Sequence, residues 1–331
     1  MKTLRIPHLN GIVTIKCGEN IVGEELKKLS LDHSLLIITD ETIANLYAHT
    51  ISDIPTIIVP EGEKAKDIET YSMVIQEMLK RQVDKNVVLI ALGGGSISDL
   101  TGFVANSYKR GLRFVNVPTT LLSQIDASIG GKNALNIQSL KNQIGTIYQP
   151  KEIIIDSSFL KTLPQKQFNS GMAEAIKYAL LFDEALLEKI ENQTFNQNDL
   201  IFRCVELKAQ ISSYDEFDSH KRKVLNFGHT VGHVLESLSK FTLTHGEAIA
   251  WGMLWEINSS LRPRLKKVLS KYSLLPDISF TLEEILSQIK SDKKIESENI
   301  TLAKIPKVGK YELVKQTIET WQKELAHEHL W

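Results

Sequence analysis

Three histidines stand close together late in the chain: His229 and His233, four residues apart, and His245 in Thr244-His245-Gly246-Glu247. Residues at that spacing share one face of a helix, and His245 opens what reads as the next helix. Imidazole nitrogens suit a divalent transition metal, and a catalytic metal takes about three protein ligands and keeps one position open. Histidines at helical spacing are more often ordinary core or surface residues. A metal site therefore needs a carboxylate converging on the same place. Glu174 is the candidate, in Gly171-Met172-Ala173-Glu174-Ala175-Ile176-Lys177, part of a helix that is otherwise nearly all apolar. Such a helix tends to be buried, and a buried carboxylate needs a cation, a metal or a proton. Lys177, one turn on, is the simplest partner. A divalent site of Glu174, His229 and His245, zinc foremost, competes with that plain ion pair.

A second constellation lies earlier. The apolar run Val87–Ala91 leads into Gly93-Gly94-Gly95-Ser96-Ile97-Ser98-Asp99. Glycines between a strand and a helix let backbone N–H groups approach a pyrophosphate at the helix N-terminus, where the dipole also favours negative charge. The spacing is not G-x-G-x-x-G, and a plain turn explains many triple-glycine runs. Two neighbours strengthen the nucleotide reading: Glu61-Gly62-Glu63-Lys64-Ala65-Lys66 follows the preceding strand, and Pro118-Thr119-Thr120 follows the next. Ligands of open α/β sheets bind beyond the carboxyl ends of the strands. Asp40, after Leu35–Thr39, suits a ribose hydroxyl or, equally, a helix N-cap. Gly130-Gly131-Lys132-Asn133 and Lys141-Asn142-Gln143-Ile144-Gly145 are polar and turn-rich, and their lysines are by default solvated charges.

The elements that must position these groups change character along the chain. From Ile12 to about Asp156 short β-branched runs alternate with helical stretches, which implies crossover connections and a parallel sheet covered by helices. After Ile153–Asp156 strands nearly vanish; 165–191, 197–216, 220–239 and 245–258 carry helical periodicity, and only Ile300–Ile305 looks strand-like. The expectation is a Rossmann-like α/β nucleotide-binding domain over 1–158, its sheet mostly parallel. A mostly helical domain over 159–331 follows, with the active site in the cleft between. The 331 residues suffice for two cores, and a net charge of -1 with interspersed signs argues against nucleic-acid or membrane partners. Cys17 and Cys204 lack metal-type spacing, and the start Met1-Lys2-Thr3-Leu4 has no apolar signal region, so a reduced, cytoplasmic protein is expected.

Taken in order, these motifs resemble the 3-dehydroquinate synthase family of the sugar-phosphate cyclase superfamily. The resemblance runs from about Leu35 to Gly246, more weakly to Asp292-Lys293-Lys294. It rests on the glycine run through Asp99, Arg110-Gly111-Leu112-Arg113-Phe114, Pro118-Thr119-Thr120 through Gln124 and Asp126, Gly130-Gly131-Lys132, and Lys141-Asn142. It also rests on Gly171 through Lys177, Leu225-Asn226 through His229 and His233, and His245-Gly246-Glu247. It implies that Glu174, His229 and His245 ligate one divalent metal, zinc or cobalt, while His233 faces the substrate. It implies NAD contacts in the first domain at Asp40, Glu61, Gly62, Glu63, Lys64, Ala65, Lys66, Gly94, Gly95, Ser96, Ile97, Ser98, Asp99, Thr119, Thr120, Lys132, Lys141, Phe159, Leu160, Lys161 and Thr162. Lys132, Asp126, Asn142, Lys177, Lys208, Arg222, Asn226 and one of Lys293 or Lys294 would surround an anionic seven-carbon sugar phosphate. Arg110 would reach the site of a neighbouring subunit in a homodimer.

The implied reaction is oxidation of a hydroxyl by NAD, elimination of phosphate from the acidified neighbour, return of the hydride, and an intramolecular aldol closure. Relay of the hydroxyl proton suits His233, since the ordinary pKa of an imidazole lies near neutrality. Asn133 stands where the family usually has threonine, and the stretch from Trp255 to Asp292 is shorter than usual. The rival readings are another sugar-phosphate cyclase, an iron-type alcohol or glycerol dehydrogenase, and a non-catalytic NAD- or metal-binding protein. Asn226 and His233 argue against the valiolone-forming cyclases, and the dehydrogenase reading leaves Glu174 and the Leu225–His233 run unexplained.

Overall fold

A computed structural model describes residues 1–327 apart from 10, 139, 241 and 292–298. In chain order the elements are β1 (Lys2–His8), β2 (Gly11–Gly18), α1 (Val22–Asp32), β3 (Leu35–Asp40), α2 (Glu41–Leu46), α3 (Ala48–Ile51), β4 (Thr56–Val59) and α4 (Ile68–Lys80). There follow β5 (Val88–Gly93), α5 (Gly95–Ser107), β6 (Arg113–Pro118), β7 (Lys132–Ile137), β8 (Leu140–Ile147) and β9 (Glu152–Asp156). The remainder is α6 (Gln165–Phe182), α7 (Glu184–Asn192), α8 (Gln197–Tyr214), α9 (His229–Leu238), α10 (His245–Glu256), α11 (Arg262–Lys271), α12 (Leu282–Ser291), β10 (Asn299–Lys307), β11 (Lys310–Thr317) and α13 (Ile318–His327). These divide into two compact units, residues 1–164 with 197–217, and residues 165–196 with 218–331.

The first unit is built on a seven-stranded sheet in the order β1-β2-β9-β6-β5-β3-β4, parallel except for the β1–β2 pair. Its interior strand β5, Val-Leu-Ile-Ala-Leu-Gly, is buried at every position, as a strand covered on both faces must be. Because β2, β9, β6, β5, β3 and β4 run parallel, the ends of β3, β4, β5, β6 and β9 share one edge. Asp40, the turn Gly62–Lys66, the start of α5, Thr119, Thr120 and the turn Ser157–Lys161 all follow those ends. Asp156 organises that edge: its carboxylate accepts from the backbone N–H of Asn20, Ile21, Val22 and Ser158 at 2.6–3.1 Å, tying the start of α1 to the 157–161 turn.

Three features depart from the expectation. The stretches around Lys132 and Lys141 are strands, forming the antiparallel hairpin β7–β8. β11 pairs with β10 in the second unit, although Lys310–Thr317 alternates so many charges that it gives no strand signal. The single boundary near residue 158 is replaced by a discontinuous one, because α8 packs on β1, β2 and the Ser123–Ala127 turn and so belongs to the first unit. Periodicity marks which face of a helix is apolar, not which layer it covers. Among the described residues no helix is long and apolar enough to cross a membrane.

The hairpin is fastened to α5 by Asn133. Its Nδ2 donates to the carbonyls of Gly131 and Tyr148 at 2.9 and 3.0 Å, and a Cβ at Gly102 of α5 would lie 1.9 Å from its Oδ1. Gly102→Ala should therefore lower stability by about 2 kcal/mol through overpacking. Asn133→Ala in the same chain should recover most of that loss, as a thermal double-mutant cycle would read; additive losses would show that the two do not meet.

Candidate functional site

The second unit gathers Glu174 from the buried helix α6, His229 from the first turn of α9 and His245 from the first turn of α10. One potential ligand atom from each lies within 4.8 Å of the others. Glu174 is fully buried, and its Oε1 is 3.3 Å from His245 Nε2 and 3.6 Å from His229 Nε2. Its Oε2 pairs with the buried ammonium of Lys177, which also donates to the carbonyl of Leu225 at 2.8 Å. The ion pair with Lys177 and the approach of the imidazoles do not exclude each other: one carboxylate oxygen meets the lysine, the other faces the imidazoles. Two nitrogens and a carboxylate oxygen, with both Nε2 atoms turned inward, fit a divalent ion such as zinc.

The imidazoles are held from behind. His229 Nδ1 lies 3.1 Å from the carbonyl of Phe227; as the donor there, it leaves Nε2 as a lone pair. Burial drives the His229 pKa well below its ordinary value, and the positive charge of Lys177 and the neighbouring histidines adds to this, so the ring is neutral and ready to ligate. His245 Nδ1 lies 3.6 Å from Glu236 Oε1. Burial opposes the charged form of His245, but the carboxylates of Glu174 and Glu236 beside it outweigh this and hold the pKa up at about 10. His233 is exposed, its ring edge-on to that of His229 with centroids 5.3 Å apart.

In the first unit α5 begins at Gly95 with Gly94 as N-cap and no side chain capping it. That N-terminus, partly exposed at Gly94, Gly95 and Ser96, fits a pyrophosphate. Around it, Lys66 Nζ bonds Asp99 Oδ2 and Asn142 Oδ1, each at 2.5 Å. Asn136 links Asn142 to Glu63, and Ser96 donates to Glu63 at 3.4 Å. Burial raises the Asp99 carboxyl to about 6 against the pull of Lys66. Thr119 N–H donates to the carbonyl of Gly93, which fixes Thr119 and Thr120 beside the glycine run. Farther along, Lys208 of α8 bonds Asp126 at 2.5 Å.

Two family models match the chain, 3-dehydroquinate synthase N-terminal over residues 56–170 and 3-dehydroquinate synthase C-terminal over residues 171–295. The chain belongs to the 3-dehydroquinate synthase family. A 3-dehydroquinate synthase of Rippkaea orientalis (strain PCC 8801 / RF-1) is 36% identical over 340 residues, covering 93% of this chain and 92% of the relative. One of Campylobacter curvus (strain 525.92) is 38% identical over 279 residues, covering 78% and 81%. Among solved structures, 2-deoxy-scyllo-inosose synthase complexed with carbaglucose-6-phosphate, NAD+ and Co2+ shares the fold, with a TM-score of 0.86 at 23% identity, over 98% of this chain and 100% of that one.

Against the residues that 3-dehydroquinate synthase resemblance implies, the structure brings together two sets. Glu174, Lys177, His229, His233 and His245 form one; Glu63, Lys66, Ser96, Asp99 and Asn142 form the other. Asp40 caps α2, its Oδ1 accepting from Ile43 N–H at 2.9 Å. Glu61 Oε1 accepts from the hydroxyl of Thr42, while Gly62 and Lys64 are exposed. Ala65, Ile97, Ser98, Phe159 and Leu160 have buried side chains, so a nucleotide meets them chiefly through backbone. Lys161 pairs with Glu19, and Thr162 with the hydroxyl of Tyr47. Lys132 and Asn226 are exposed, Lys141 is half-buried and Arg222 is buried. Arg110 is exposed on a left-handed turn at φ 65°. Lys293 and Lys294 lie outside the described residues. Sequence reasoning passed over Glu236, although it lies two turns beyond His229 on the same face of α9.

Metal must displace the proton that His245 carries below about pH 10, whereas His229 has none to lose. Titrating zinc into metal-free protein at pH 8 should therefore release close to one proton from the site, read by calorimetry in buffers of different ionisation heat. His245→Ala should abolish both the release and tight binding; unchanged metal content would overturn the ligand assignment.

Proposed function

We propose that the chain converts 3-deoxy-D-arabino-heptulosonate 7-phosphate to 3-dehydroquinate and phosphate, as a cytoplasmic homodimer using NAD and one zinc or cobalt ion per subunit. The observation that carries this reading is the Glu174–His229–His245 cluster, in a chain of the 3-dehydroquinate synthase family whose α5 offers an uncapped N-terminus. When bound, NAD supplies a reversible hydride acceptor and the metal a Lewis acid for the substrate hydroxyl and carbonyl oxygens.

The rest falls to the chain. The α5 N-terminus and the Thr119–Thr120 turn hold the pyrophosphate and orient the nucleotide, with Asp40 toward the ribose. Lys177 balances the charge of buried Glu174 and so keeps one of its oxygens directed at the histidines. His233, exposed beside His229, takes the proton of the reacting hydroxyl and returns it. Arg222, Lys132 and Lys208 answer the carboxylate and phosphate of the substrate through charge-assisted hydrogen bonds, Lys208 being steadied by Asp126. Asn142 and Asn226 add neutral donors, and Arg110, exposed at its turn, serves the neighbouring subunit's phosphate.

Purified protein should release phosphate from the substrate with no net accumulation of NADH; a chelator should stop this and added zinc or cobalt restore it. Net NADH production would point to a dehydrogenase instead. His233→Ala should keep its metal and lose turnover by about 100-fold or more, the ordinary worth of a positioned acid–base group. Arg222→Ala should raise KM for the sugar phosphate with NAD affinity unchanged; weakened NAD binding would move Arg222 to the nucleotide.

A further inference from the structure

Glu256, the last residue of α10, has no part in the reaction above. It is nonetheless a buried carboxyl, 4% exposed, and its Oε2 accepts from the backbone N–H of Gly228 at 2.8 Å. Gly228 is the N-cap of α9, immediately before the ligand His229, and has no side chain with which to cap the helix. A helix N-terminus with unsatisfied N–H groups is stabilised by an acceptor oxygen. Here the acceptor comes from a different helix, the one whose first residue is the ligand His245.

The contact leaves no freedom for substitution on the α9 side. Gly228 has a left-handed φ of 77°; a Cβ there would lie 2.6 Å from Met253 Cγ, and a Cβ at Gly252 would lie 1.9 Å from the Gly228 carbonyl oxygen. The backbone of α9's first turn is thus seated directly on α10. The orientation of His229 follows from that seat, because its Nδ1 is held by the carbonyl of Phe227, which belongs to the same peptide group whose N–H donates to Glu256. The arrangement is reciprocal: α9 lends Glu236 to His245 on α10, and α10 lends Glu256 to the residue before His229 on α9. Packing alone does not account for a carboxyl at this position. Its Oε1 is buried without a hydrogen-bond partner among the described residues, and an apolar side chain of the same length would fill the space without that penalty.

We propose that Glu256 is a positioning residue for the metal site, holding the first turn of α9 on the end of α10 so that the His229 imidazole meets Glu174 and His245 in ligating geometry. This rests on the reading that those three residues hold the metal. It concerns only how the chain prepares the site, and no step of the reaction passes through Glu256.

The test uses full-length metal-free protein and Co2+, whose visible absorption reports ligand geometry, with affinity measured by chelator competition. Glu256→Met matches the side chain in length and removes the acceptor; Glu256→Gln keeps an acceptor oxygen in place. The Met variant should bind Co2+ about tenfold or more weakly, the usual effect of removing a group that orients a ligand, and with an altered spectrum. The Gln variant should restore affinity and spectrum even where its metal-free Tm is as low as that of the Met variant. If the Met protein does not fold, Glu256→Asp, which withdraws the carboxyl by one methylene, should show the same weakening. Wild-type affinity and spectrum in the Met or Asp variant, or equal impairment of Gln and Met, would overturn the proposal. Failure of the wild-type protein itself to take up one Co2+ per chain would instead overturn the metal reading on which it rests.

Discussion

The second unit is organised around one constraint, a carboxylate that has no access to water. Glu174 lies on α6, a helix buried from Ser170 to Leu181, so the ordinary solvation of its charge is unavailable and must be replaced by partners. An uncompensated charge in such a place destabilises a protein by several kcal/mol. Lys177, a turn away on the same helix, meets one oxygen; the other is left for groups brought by α9 and α10. Those helices therefore have to begin near α6 and present nitrogen to it. Close, glycine-mediated packing makes this possible: a Cβ at Gly246 would lie 2.3 Å from the carbonyl of Ser170, so α10 starts against the backbone of α6 itself.

Much of this was legible in the residues. An acidic side chain inside an apolar helical stretch, a histidine pair at helical spacing and a third histidine at a helix start together made a metal site a competitor of the plain Glu174–Lys177 ion pair. What spacing could not settle was the division of labour. His229 and His233 share a helical face, yet only His229 turns toward Glu174, because the third direction is set by α10, whose approach depends on packing far away in sequence. The supporting carboxylates were harder still. Glu236 looks in a sequence like any solvated glutamate, and although the apolar run before Glu256 marks that carboxyl as buried, only the tertiary structure shows it meeting the backbone behind His229.

The first unit shows the same split. The glycine run, the strand ends and the parallel order follow from apolar runs and connection length, so the edge that collects Thr119, Ser96 and Glu63 could be foreseen. The hairpin β7–β8 could not, since its polar, glycine-containing strands lack a two-residue apolar alternation and are held instead by Asn133 against Gly102 and by the Asn136–Glu63 and Asn142–Lys66 links. The placement of α8 in this unit has a similar cause: its apolar face fits either half by composition, and only the tertiary structure assigns Lys208 to Asp126.

The electrostatics of the metal centre bear on how the chain folds before any ion arrives. With Lys177 on one oxygen of Glu174 and a protonated His245 on the other, the buried carboxylate is matched by positive charge in the metal-free protein, and Glu236 on the far side of His245 favours the same proton. The proton stands in for part of the metal's charge. Burial meanwhile keeps His229 neutral, so the cluster does not accumulate two imidazolium ions facing one carboxylate. The charges of the cluster are thus balanced by its own residues, and a divalent ion entering it exchanges with one proton. Unlike small domains that bury too little apolar surface to fold without their metal, both units here have extensive apolar cores.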